Sequence, residues 1–143
     1  MKSKVFIKLF FLSALLLSST YSFAELAVII HPGNSLEAIT KDELKRIYLG
    51  KSKEFPNGLI IAALDQEKES EEKEKFYKKV VGKSLSQVSA YWSRLIFTGK
   101  GIPPRVLPND EAIKSWVASH PESIAYINAE SADNSIKTIF NVK

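Results

Sequence analysis

The chain has 143 residues, with 20 basic against 16 acidic side chains, a formal net charge of +4 and no cysteine. Without cysteine there are neither disulfides nor thiolate metal centres. Lys2, Lys4 and Lys8 carry three of the four net charges, so the basic balance belongs to the first residues and is no footprint for nucleic acid or anionic lipid.

Those lysines precede an apolar run from Phe10 to Leu17, and Ser22-Phe23-Ala24 supplies small residues at the positions a signal peptidase reads. Residues 1–24 are therefore expected to be a signal peptide cleaved after Ala24. The run is short for a bilayer, and no later stretch approaches the ~20 apolar residues of a membrane span. Residues 25–143 are expected to form one exported domain, of a size that buries roughly two-thirds of its unfolded surface.

Leu26 to Ile30 is a continuous apolar run stopped by Pro32-Gly33-Asn34, which suits a strand buried on both faces. Thr40 with Glu43 forms a capping box, flanked by Ile39 and Leu44 as a hydrophobic staple. The helix it opens should bury Leu44, Ile47 and Tyr48 and stop at Gly50. Phe55-Pro56-Asn57-Gly58 reads as a turn, followed by a second buried strand from Leu59 to Leu64. From Glu67 to Lys75 every residue is polar. Phe76, Tyr77, Val80 and Val81 then give the second half of that helix an apolar face, and Gly82 ends it.

Ser84 with Gln87 caps the next helix, on which Leu85, Val88, Trp92, Leu95 and Ile96 recur at helical spacing. Thr98-Gly99-Lys100-Gly101 and then Pro103-Pro104 terminate it. Arg105 to Leu107 is a short third strand. Asn109 or Asp110 caps a fourth helix carrying Ala112, Ile113, Trp116 and Val117 on one side. Ser123 to Ile127 and Ile136 to Val142 complete the pattern as strands. The alternation predicts an α/β fold, a mostly parallel sheet of about five strands with helices on its faces.

In such a sheet, ligands sit at the carboxyl ends of the strands, which points to His31–Ser35, Asp65–Ser70 and the approach to Asn109. The Gly-Lys-Gly loop matches no phosphate-loop spacing and reads as a helix stop. His31 and His120 are the only histidines, no nucleophile elbow is present, and neither histidine has a carboxylate at ligand spacing. No catalytic site, metal site or cofactor is expected. An enzyme working through His31 ranks last among the readings. The glutamates from Glu67 to Glu74 lack the glycine of a calcium loop and read as a solvated helix start. Trp92 and Trp116 fall in the apolar stripes and are expected in the core, while Tyr91 and Phe97 lie at the stripe edges.

Several segments together resemble the phosphate-type ABC transporter substrate-binding proteins, which have the type 2 periplasmic-binding fold. They are Leu44 to Lys51, the Phe55–Gly58 turn, Tyr91-Trp92 with Phe97 to Gly101 and Pro103-Pro104, and Ser123 to Ile127. The resemblance covers nearly all of residues 25–143 and maps onto one lobe, so it implies a short single-lobe member. It implies a periplasmic protein that binds a solute such as phosphate or another small anion and works with a membrane transporter. The family holds phosphate partly with an Arg, two spacers and Gly-Ser-Gly-Thr at a helix start, with a Phe six residues after the Ser. Here Ser70 and Phe76 keep that spacing, Gln66 takes the Arg position, and Glu71 and Glu72 replace Gly and Thr. The expected function is thus solute-binding-like with a degenerate anion site, its ligand residues Asn34, Ser35, Lys68, Ser70 and Lys100. The alternative is a periplasmic interaction module that lost its ligand and contacts a protein through Tyr91, Phe97 and the 99–104 loop. Oligomeric state stays open.

Overall fold

The computed structural model describes residues 24–143. The expected leader therefore lies outside the described residues except for Ala24. Five strands, β1 (Leu26–Ile30), β2 (Ala62–Gln66), β3 (Arg105–Leu107), β4 (Ser123–Asn128) and β5 (Lys137–Val142), form one sheet in the order β3-β2-β4-β1-β5. Four α-helices connect them: α1 (Lys41–Tyr48), α2 (Glu71–Phe76), α3 (Leu85–Phe97) and α4 (Asp110–Ser119). Tyr77–Val81 continues α2 as a π-helical turn that Gly82 closes at φ +74°. Among the described residues no helix is long and apolar enough to cross a membrane.

The sheet is mixed, and most of its ladder is antiparallel. β1 runs antiparallel to both neighbours, with five residue pairs on each side. Only β2 with β3 and β2 with β4 are parallel, with three and two pairs. This corrects the mostly parallel expectation. A strand buried on both faces is apolar throughout whichever way it runs, so its direction leaves no mark on a five-residue run.

Alternation along β1 divides the core. Leu26, Val28 and Ile30 join the larger cluster beneath α1, the π-turn and α3, whereas Ala27 and Ile29 meet Ile113 and Val117 of α4 on the other face. Both expected capping boxes form: Thr40 Oγ1 accepts from the Glu43 N–H, and Ser84 Oγ accepts from the Gln87 N–H. The second strand begins at Ala62 instead of Leu59. Ile60 folds back to bridge Glu54 in a hairpin, leaving Leu59 and Ile60 exposed, so the apolar run overshoots the sheet. On α3 only Val88 and Trp92 are buried, while Ile96 is exposed and Phe97 almost fully so. Trp116 is half-buried, stacked on His120 with the Arg105 guanidinium 4.1 Å from its ring centroid.

Candidate functional site

β2 ends in two polar residues, Asp65 and Gln66, which are both buried. The apolar half of the strand anchors them, and burial obliges them to find partners. Asp65 accepts from the Tyr77 hydroxyl at 2.8 Å, from the Tyr126 hydroxyl, and from the Gln66 N–H at 2.8 Å. Lys73 of α2 pairs with it at 3.2 Å. Tyr48, Tyr77, Tyr126 and Phe76 pack around this carboxylate, with Phe76 stacked on Tyr126 at 4.0 Å. Burial first, and the Asp65 charge second, push the Tyr48, Tyr77 and Tyr126 phenols well above their ordinary range, so all three stay protonated. The Tyr77 and Tyr126 hydroxyls donate to Asp65, and the Tyr48 hydroxyl donates to the Leu64 carbonyl.

One residue further on, the chain turns toward the N-termini of α2 and α4. The Gln66 side-chain amide donates to Asp110 Oδ1 at 2.7 Å and to the Tyr126 carbonyl at 3.2 Å. Asp110 Oδ2 accepts from the Asn128 N–H at 3.0 Å and from the Ser131 hydroxyl at 2.8 Å. One side-chain carboxylate thus collects an amide, a backbone N–H and a hydroxyl, the donor set that a bound anion would use. The cleft above it, about 370 Å³, is walled by Gln66, Ser70, Glu72, Asn109, Asp110 and Glu111 among others, with no Lys or Arg in its lining. Ser70 caps α2 by accepting from the Lys73 N–H, and its own hydroxyl donates to Glu72.

The expected ligand residues do not converge. Asn34 and Ser35 follow β1, and because β1 is antiparallel they lie at the end of the sheet where β2 and β4 begin, opposite Ser70. Asn34 is a buried pin there. Its Oδ1 accepts from the Leu36 N–H and the Asn57 amide, its carbonyl accepts from Lys137 Nζ, and Ser35 Oγ shares the Asn57 donor. Lys68 is exposed on the loop before α2, and Lys100 is exposed before β3, again at the edge away from Ser70. His31 closes its own turn by accepting from the Gly33 N–H.

No family model matches the chain, and no curated protein matches it. Solved structures do. An ABC-type phosphate transport receptor from Vibrio cholerae aligns with a TM-score of 0.65 at 20% identity, over 81% of this chain and 45% of that one. The chain thus shares its fold with somewhat less than half of that receptor.

A phosphate ABC transporter substrate-binding protein from Clostridium perfringens, solved with bound phosphate, gives a TM-score of 0.66 at 21% identity, over 81% of this chain and 44% of its own. PstS from Borrelia burgdorferi gives 0.63 at 16% identity, with 81% and 46% covered. The lobe thus spans less than half the length of each of these structures. Gln66, Ser70 and Phe76 are each engaged internally: Gln66 with Asp110, Ser70 with Glu72, and Phe76 in the aromatic stack. The sequence places Asp65 in a candidate strand-end stretch and Asp110 at a helix start, but marks neither of them, nor Tyr126, as a ligand residue. The available signal was the polar Asp65-Gln66 pair directly behind an apolar strand.

Proposed function

We propose that the chain is a periplasmic, non-enzymatic, solute-receptor-like lobe whose strand-end anion position is closed by its own Asp110 carboxylate, so that phosphate is not taken there. The observation that carries this is the convergence of Gln66 Nε2, the Asn128 N–H and the Ser131 hydroxyl on Asp110. Electrostatics supports it. A helix N-terminus favours an anion by about 0.3–1 kcal/mol when exposed. Each neighbouring carboxylate opposes a phosphate charge by about 1 kcal/mol at ~4 Å even in water. Glu72, Asp110 and Glu111 all line the cleft, so repulsion wins.

The leader expected at residues 1–24 supports a periplasmic location. The phosphate-transport names of the matched receptors support a membrane transporter as the kind of partner. Calorimetry of the purified protein against inorganic phosphate at low salt tests the closed site. Absence of heat at millimolar phosphate agrees with it. Saturable binding that disappears on Ser70→Ala refutes it.

A further inference from the structure

A groove lies at the end of the sheet opposite Asp110, between the C-terminal ends of α1 and α3 and the start of β2. It measures about 750 Å³, within the range of small-ligand sites. Its apolar walls include Ile47, Ile61, Ala63, Tyr91, Trp92 and Leu95, and the Gly99–Pro104 loop forms one lip. Three lysines, Lys51, Lys53 and Lys100, line it, and no Asp or Glu does; Glu54 lines the neighbouring cleft instead. None of the three lysines makes an ion pair among the described residues, whereas Lys73, Lys79, Lys114 and Lys137 all do.

Helix C-termini carry partial negative charge, which by itself would disfavour an anion. Here those carbonyls are already engaged. The Tyr91 hydroxyl donates to the Leu49 carbonyl, and the Lys100 N–H and Thr98 hydroxyl donate to the Leu95 carbonyl. The lysines therefore set the sign of the groove. Trp92 is buried in the wall, with its six-membered ring toward Gly50 and Gly101. Exposed Ile60 and Ile102 extend the apolar surface at the mouth.

We propose that this groove is a binding site for an amphiphilic anion, with a carboxylate or phosphate head paired to Lys51, Lys53 and Lys100 and a hydrocarbon body laid along Trp92, Leu95 and Ile61. Its charge is the opposite of the strand-end cleft's and it shares no residue with that cleft, so it stands or falls independently of the closed phosphate position.

Trp92 is the reporter. With Trp116→Phe as background it is the only tryptophan left. Titration with decanoate or decyl phosphate, below their micelle concentrations, is expected to change Trp92 fluorescence saturably. Decyltrimethylammonium and inorganic phosphate are expected to leave it unchanged. A Lys51→Gln/Lys53→Gln/Lys100→Gln variant, with an unaltered melting temperature because these side chains are exposed, should bind about tenfold more weakly at low salt. A response to the cationic amphiphile equal to that of the anions overturns the proposal. So does unchanged affinity in the triple variant, or a response to phosphatidylglycerol vesicles with none to the monomeric anions.

Discussion

Removing the Asp65 carboxylate takes away the common partner of Lys73, Tyr77 and Tyr126. Asp65→Ala strips the partner from Lys73 at 3.2 Å and leaves two buried phenol hydroxyls, Tyr77 and Tyr126, with no acceptor at that point. Breaking a buried pair by deleting one partner costs about 3–5 kcal/mol. Each stranded donor adds about 1–3 kcal/mol where it cannot reorient to water. These terms overlap, so about 4 kcal/mol is the working figure, set against a total stability of about 5–15 kcal/mol for a domain of this size. Urea denaturation followed by circular dichroism should show that loss with an unchanged m-value. Asp65→Asn keeps one acceptor oxygen and should lose about half as much. A Lys73→Met/Asp65→Asn cycle should return a coupling of about 1 kcal/mol or more. A loss below about 1 kcal/mol for Asp65→Ala would show that the carboxylate is not the hub of the network.

Three further outcomes follow from the same geometry. The folded-state pKa values of Tyr48, Tyr77 and Tyr126 are raised, so the unfolded chain releases these protons first: the stability they confer is complete below about pH 10 and declines above it, by about 1.4 kcal/mol per pH unit for each tyrosine. Tyr126→Phe should flatten that alkaline decline by one tyrosine's share in denaturation between pH 10 and 11, and an identical slope would contradict the burial argument. Gly50→Ala places a Cβ 2.9 Å from Trp92 Cη2 on a backbone at φ +69°, and should cost about 1–2 kcal/mol or more in thermal melts, with a blue or red shift of Trp92 emission. Ser84→Ala removes one half of the α3 capping box and should cost about 1 kcal/mol, read by the same melts.

Much of the fold is written locally and could be read there. Thr40 and Ser84 announce their helices through short-range capping chemistry, and Gly50, Gly82 and Gly99 end helices with φ near +70°, a conformation that penalises any Cβ. What sequence could not supply is strand direction. Leu26–Ile30 is equally apolar in either sense, and only pairing with Ile124–Asn128 decides it. That one reversal carries Asn34 and Ser35 to the end of the sheet opposite Ser70. The start of β2 is hidden in the sequence for a related reason, since Leu59 and Ile60 are as apolar as core residues but face solvent. The Gln66–Asp110 bond joins residues 44 apart in sequence and required the fold itself to be seen. The acidic character of the α2 start, by contrast, was fully legible from Glu71, Glu72 and Glu74.

Phosphate calorimetry on the wild type beside Asp110→Ser tests the closed strand-end position most directly. Serine removes the internal anion while leaving Gln66 Nε2, the Asn128 N–H and the Ser131 hydroxyl in place as donors. The wild type is expected to give no phosphate heat, and Asp110→Ser weak, salt-sensitive binding. Phosphate binding by the wild type that Asp110→Ser leaves unchanged would contradict it.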